Sequence, residues 1–188
     1  MIYKFLFFIT ILFCGVDSLL SDTIENLKIK DLNDFQNKGW VYIFEDESSL
    51  LEWNNITKKE FKKINKTQIK RGYSDKTIWI LIPLENEDEK QKEIIVSLRN
   101  PFLQTVNFYF LKENEVTPVI QKQGILEQRI DSLPNSSLMI PSGKTKIYIQ
   151  IKSSTPLMIP ILIGEKDNFY RNELFYYSVL VLLFGITL

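Results

Sequence analysis

Histidine is absent from this chain, and cysteine occurs once, at Cys14. Without histidine there is no imidazole general base, no Ser-His-Asp or Cys-His arrangement and no zinc site built on imidazole. A single cysteine excludes an internal disulfide and a thiolate metal cluster. No Gly-rich phosphate loop, Ser nucleophile elbow or redox Cys pair occurs. An excess of one charge is missing as well. Lys+Arg and Asp+Glu number 23 each in 188 residues, and the resulting zero net charge argues against a globally basic nucleic-acid binder. What is plentiful is apolar material: 45% hydrophobic and 13% aromatic residues suffice for a packed core. The sequence names no catalytic residue, no metal site and no cofactor.

The apolar residues concentrate at the two ends. Met1 to Lys4 is a short n-region with one lysine, Phe5 to Phe13 is an apolar run of signal-peptide length, and Gly15, Ser18 and Ser21 follow as small residues. Residues 1–21 read as a secretory signal peptide, cleaved after Ser18 or Ser21. An uncleaved anchor and a lipid-modified Cys14 are the alternatives. Removing the signal takes the cysteine with it, and export without disulfides fits a bacterial periplasm. At the other end, Leu174 to Leu188 carries no charge. As a helix it is about 22 Å long, short of the roughly 30 Å of a bilayer core. Residues 171–188 are therefore expected to be the beginning of a first transmembrane helix, cut short, or else a tail anchor. Tyr170, Tyr176 and Tyr177 suit an interfacial aromatic belt.

Between the ends the hydrophobic period is two. Ile147, Ile149 and Ile151 alternate with Lys146, Tyr148, Gln150 and Lys152, while Val106, Phe108 and Phe110 alternate with Asn107 and Tyr109. Leu157, Ile159, Ile161 and Ile163 share one face. Ile94, Val96 and Leu98 make another strand, and Trp40 to Phe44 an earlier one. Thr77 to Leu84 is apolar on both faces around Trp79, as in a central strand. Turn chemistry separates these runs: the charged loop Glu85 to Lys92, a polar turn at Asn114, Pro134-Asn135 within Asp131 to Ser137, Pro141-Ser-Gly143, and Ser153 to Pro156. Ser48 to Ile64 is the exception, where Leu50, Leu51, Trp53, Ile56 and Phe61 suit a short helix or a packed loop. About eight short strands predict one all-β domain over residues 22–170, a β-sandwich or jelly roll.

Chemistry is scarce in this middle. The run from Glu85 to Lys92 mixes acids with Lys90 and Lys92 and reads as a solvated hairpin loop. The basic stretch from Lys58 to Arg71 reads as the wet face of a helix. Asp46 and Glu52 are the best acid candidates for a carbohydrate-active enzyme. By strand parity Tyr109 and Tyr148 fall on the polar side of their strands, and Arg99 and Asn100 end a strand. These four are the candidate lining of a ligand groove, because aromatic faces with nearby hydrogen-bonding groups suit sugars. Routine amphipathic packing is the plain alternative.

Several segments, taken in order, resemble a known family. Asp46 is followed by Leu50-Leu51-Glu52-Trp53 and then Phe61. Gly72-Tyr73-Ser74 precedes the Trp79-centred strand Thr77 to Leu84, with Asn86 after it. Val96 to Asn100, Pro101-Phe102-Leu103 and Val106 to Tyr109 form a strand, an Asn-Pro turn and a second strand. Ile149 to Lys152, Ser153-Ser154-Thr155-Pro156, Leu157 to Ile163 and Phe169 complete the order. This pattern is similar to the second type of extracellular sensor domain of bacterial seven-transmembrane receptors with diverse intracellular signalling modules. Two departures stand out: Gln104-Thr105 replaces the acid that often precedes the valine, and the remaining transmembrane helices are not in this chain.

The resemblance implies a jelly-roll-like β-sandwich sensor in the periplasm, related in fold to carbohydrate-binding modules and attached to the bacterial inner membrane by its C-terminal helix. It implies a carbohydrate or other small-molecule ligand and, in a full-length chain, a cytoplasmic output module. No nucleic-acid partner is expected. The rival readings are a periplasmic adhesion or interaction module with a tail anchor and, further off, a carbohydrate-active enzyme.

Overall fold

Strands that alternate between two faces need two partners, and here both faces of one sheet are covered. The computed structural model describes residues 24–113, 115–126 and 133–185. The expected signal peptide, the turn at Asn114 and the start of the turn at Asp131 lie outside them. In chain order the elements are β1 (Leu27–Lys28), a 3₁₀ helix (Ile29–Asp34), α1 (Phe35–Lys38), β2 (Val41–Asp46), α2 (Trp53–Ile56), β3 (Lys62–Ile64) and β4 (Gln68–Arg71). There follow β5 (Thr77–Asn86), β6 (Lys92–Leu98), β7 (Thr105–Lys112), β8 (Val119–Gln123), β9 (Asn135–Ile140), β10 (Gly143–Lys152), β11 (Leu157–Glu165) and α3 (Lys166–Gly185).

The strands form a seven-stranded sheet, β3-β2-β5-β10-β7-β8 with β1 beside β5, and a four-stranded sheet, β4-β11-β6-β9. Among the described residues only β1 pairs in parallel. From β4 onward the pairing is nested: β4 with β11, β5 with β10, β6 with β9 and β7 with β8, all antiparallel. The chain is one long hairpin with β7–β8 at its tip. It is rolled so that β10 also pairs β7 and β11 also pairs β6. That interleaving is jelly-roll winding. A consequence follows for the last strand. β11 bridges the small sheet: Leu157–Pro160 pair β4 and Ile161–Glu165 pair β6.

The two sheets face each other across one core. Ile78, Ile80 and Ile82 of β5, Phe108 and Phe110 of β7 and Ile147 and Ile149 of β10 meet Ile94 and Val96 of β6 and Ile159 and Ile161 of β11. Those of β6, β7, β10 and β11 are the period-two sets read from the sequence, and β5 is the strand read as apolar on both faces. β5 is buried on its other face too, since Trp79 and Leu81 are also covered.

Four expectations change. The stretch from Ser48 to Ile64 forms only one turn of helix at Trp53–Ile56 and then strand β3. The basic residues are therefore not on a helix face: Lys62 and Lys63 sit on β3, and Lys70 and Arg71 on β4. The charged loop after β5 does not close a hairpin. It carries the chain from the large sheet to the small one, braced by Asn86, whose Nδ2 donates to the carbonyls of Lys90 (2.9 Å) and Ile140 (3.2 Å). Finally, Asn135 to Ser137 belong to β9 and not to a turn.

Candidate functional site

Tyr109 and Tyr148 are cross-strand partners on the outer face of the large sheet. Parity placed them correctly, opposite the inter-sheet core. The face is not wet, however. The segment between β2 and β3 folds across it and brings Trp53 flat onto Tyr109, with ring centres 5.1 Å apart at 11°, and edge-on to Tyr148 at 5.1 Å. Phe61 meets Tyr148 from the side at 5.8 Å, and Trp79 tilts against Tyr109 at 5.5 Å. The two tyrosines are left 8% and 4% exposed, too little for a ligand to touch without moving the segment. Beside them the Asn107 Nδ2 donates to the Gln150 Oε1 at 2.8 Å. The Tyr109 hydroxyl donates to the same oxygen at 3.3 Å. Burial pushes both phenols above their usual range, so they are neutral hydrogen-bonding groups and not bases.

The covering segment is pinned at its root. Asp46, the last residue of β2, accepts from the Ser48 amide (3.0 Å), the Ser48 hydroxyl (2.6 Å) and the Leu51 amide (2.9 Å). Burial alone raises this carboxyl, but the Ser48 hydroxyl and the amides of Leu51, Ser48 and Ser49 outweigh it and hold the group below the usual carboxylate range. Ser49 adopts a positive φ of 55° and ties the segment to β5, accepting from the Thr77 amide at 3.0 Å. Asp46 is thus an anchor for this loop. The other acid candidate, Glu52, is exposed at the far end of the same turn.

Arg99 and Asn100 lie elsewhere, at the end of β6 in the small sheet. A single groove lined by all four residues is therefore excluded: the inter-sheet core stands between the pairs. Asn100 engages its carboxamide locally. Its Nδ2 donates to the Met158 carbonyl (3.0 Å) and its Oδ1 accepts from the Phe102 amide (2.9 Å), which fastens the Asn-Pro turn to β11.

Arg99 reaches the C-terminal helix. Its guanidinium pairs with Glu173 of α3 and lies 5.8 Å from the centre of the Phe169 ring. Its Nε is buried with no hydrogen-bond partner. Around it opens a cleft of about 380 Å³ between α3, the 3₁₀ helix, α1 and the end of β11. Apolar walls come from Leu32, Leu162 and Phe169, and polar ones from Asn33, Gln36 and Asn172. Sequence reading found Arg99 by its place at a strand end. It gave no site role to Glu173, which falls in the expected membrane helix of residues 171–188, or to Phe169, which closes the family pattern. The helix starts earlier than residue 171: Lys166 follows Glu165 of β11 with no linker. Lys166 also pairs with Glu93 of β6 at 2.9 Å.

From Leu174 onward α3 exposes Leu174, Phe175, Tyr177, Val181, Leu182 and Leu183. Among the described residues no helix is long and apolar enough to cross a membrane. No group of three or more metal-ligating side chains gathers among them either.

Solved structures with a similar course have low identity. The β-glucosidase of Kluyveromyces marxianus, solved with glucose, is similar over 71% of this chain at 10% identity and a TM-score of 0.42, and the chain spans 16% of that enzyme's length. TmCBM61, solved with β-1,4-galactotriose, is similar over 67% of this chain and 88% of its own, at 7% identity and a TM-score of 0.37. A structure of carbohydrate-binding modules of the β-sandwich superfamily covers 71% of this chain and 60% of its own, at 9% identity and a TM-score of 0.36. No curated protein matches the chain. The decisive likeness is to a family model, 7TMR-DISM extracellular 2, over residues 38–165. That span holds every strand from β2 to β11, and the chain belongs to this family of extracellular sensor domains of seven-transmembrane receptors.

Proposed function

We propose that this chain senses a carbohydrate or other small molecule in the periplasm of a bacterium and relays occupancy into the inner membrane along α3. The observation that carries the reading is the junction of β11 and α3. A strand whose closing residues, Ile161–Glu165, pair β6 runs without a linker into a helix whose second half is apolar and exposed. A displacement of the small sheet is therefore transmitted to the helix axis and not absorbed by a loop. Sensing requires that the ligand favour one arrangement of this junction over another. In a full-length chain, further helices and a cytoplasmic output module receive the change. Of the four candidate ligand residues, Arg99 is the one placed to couple binding to α3. Tyr109 and Tyr148 contribute only where the segment over them lifts.

The test is a thermal-shift screen of the full chain in nanodiscs against neutral glycans and small metabolites, followed by hydrogen exchange of α3 with each hit. A ligand at a hundred times its Kd adds about 2.7 kcal/mol, a rise of several degrees for a domain of this size. The expected result is a hit that also changes exchange over residues 167–175. Hits that leave α3 unchanged, or no hit at all, refute the relay.

A further inference from the structure

The Arg99 cleft holds an unsatisfied cation donor inside a mixed apolar and polar wall. A guanidinium presents its N–H groups as a fork that matches a carboxylate in two parallel hydrogen bonds. Here Glu173 takes one arm of that fork through Nη2. The neighbouring Nε is buried and unpaired, and a buried donor left without a partner is costly. Arg99 and Glu173 keep 25% of their side-chain surface exposed, so the pair is reachable from the cleft. Beyond the fork, Leu32, Leu162 and Phe169 offer an apolar wall, and Asn33 and Asn172 offer carboxamides at the rim. The cleft volume of about 380 Å³ lies in the range of small-molecule sites.

We propose that this cleft binds a small organic acid, a carboxylate on a largely apolar body, which takes the Arg99 guanidinium from Glu173 and so frees the second turn of α3. Glu173 is the built-in competitor: its carboxylate occupies the place of the ligand's and ties α3 to β6 while the cleft is empty. A free acid that engages both Nη2 and Nε completes the fork that Glu173 leaves half used. The apolar body then covers Phe169 and Leu162, which face the cleft beside the released helix. This deepens the sensor reading and rests on it only for the consequence at α3. The site itself stands on the geometry of Arg99.

The experiment uses the full chain in nanodiscs and 3-phenylpropionate as probe, with 3-phenylpropionamide as the neutral control. Affinity is measured by NMR titration and α3 motion by hydrogen exchange. The expected pattern is binding of the acid and not of the amide, and about fivefold tighter binding in Glu173→Gln, because the competitor is gone. Arg99→Lys keeps the charge but lacks the fork, and is expected to bind at least tenfold more weakly. Exchange over residues 167–175 should rise in the wild type on adding probe, and already be raised in Glu173→Gln without it. Equal affinity in wild type and Glu173→Gln, or acid binding that survives Arg99→Lys, overturns the site. Acid binding with the expected variants but unchanged α3 exchange leaves the site standing and removes the relay.

Discussion

Replacing Asp46 with alanine tests whether one carboxylate holds the segment that covers Tyr109 and Tyr148. Asp46 is 3% exposed and accepts three hydrogen bonds, from the Ser48 amide, the Ser48 hydroxyl and the Leu51 amide. A hydrogen bond to a charged partner contributes about 1.5–3 kcal/mol. Ser48 is exposed, so water replaces part of what its two bonds supply. A net loss of about 3 kcal/mol is expected, which at a urea slope of about 2 kcal/mol/M moves the midpoint by about 1.5 M. Urea unfolding at pH 7, followed by tryptophan fluorescence, measures it. Acrylamide quenching of Trp53, with Trp40 replaced by phenylalanine, reports whether the segment has lifted. The pH dependence gives an independent check. Asp46 is held below its unfolded value, so its contribution is full above about pH 4–5 and is lost as pH falls through the folded value. The gap between wild type and variant should therefore narrow steadily below about pH 4. A loss under about 1 kcal/mol at pH 7, or a gap as wide at pH 3 as at pH 7, would refute the pinning.

Two further outcomes follow from the packing. Trp53→Ala uncovers the phenols, so nitration of Tyr109 and Tyr148 by tetranitromethane should quicken at least fivefold while the far-UV spectrum stays unchanged, and unchanged nitration rates would show that other residues cover them. Gly124 has φ +108°, and a β-carbon there would lie 2.6 Å from the Gln104 carbonyl oxygen, so Gly124→Ala should cost about 2 kcal/mol or more in urea unfolding.

Much of the sandwich was legible because its long strands are buried on at least one face, and burial writes a period of two. β6, β7, β10 and β11 show it plainly, and β5, buried on both faces, shows instead as a continuous apolar run. The strands that escaped are β1, β3, β4, β8 and β9. Lys62–Ile64 and Gln68–Arg71 lie at sheet edges, where charged side chains are favoured, so they read as a basic helix face and not as strands. The site was legible in part for a related reason. Alternation says which face a side chain takes, and Tyr109 and Tyr148 took the face assigned to them. It cannot say what lies above that face. The cover, Trp53, sits in a segment whose apolar residues follow no regular period. Arg99 was found, but its partner Glu173 is distant in sequence and belongs to an element read as a membrane helix.

The strand-to-helix junction can be challenged without touching either ligand region. β11 keeps its pairing to the last residue, with Glu165 opposite Ile94, and Lys166 opens the helix. Side-chain ties then run along the first two turns: Lys166 to Glu93, Asn168 to Asn33 and Glu173 to Arg99. Inserting Gly-Gly between Glu165 and Lys166 leaves every one of those side chains in place but adds two residues of free backbone. Ordering them costs about 2–4 kcal/mol, more than partly exposed ion pairs return. The helix should therefore come away from the sheet even though its partners remain. Amide exchange over residues 167–175 is expected to rise at least tenfold, while the β5–β11 amides and the domain's thermal midpoint stay within about 2 °C of the parent. If exchange in the first two turns of α3 is unchanged by the insertion, the ties alone hold the helix. Covalent continuity with β11 would then have no part in the coupling. If the β11 amides loosen together with the helix, strand and helix are one cooperative unit, and a relay between them has no separate states to connect.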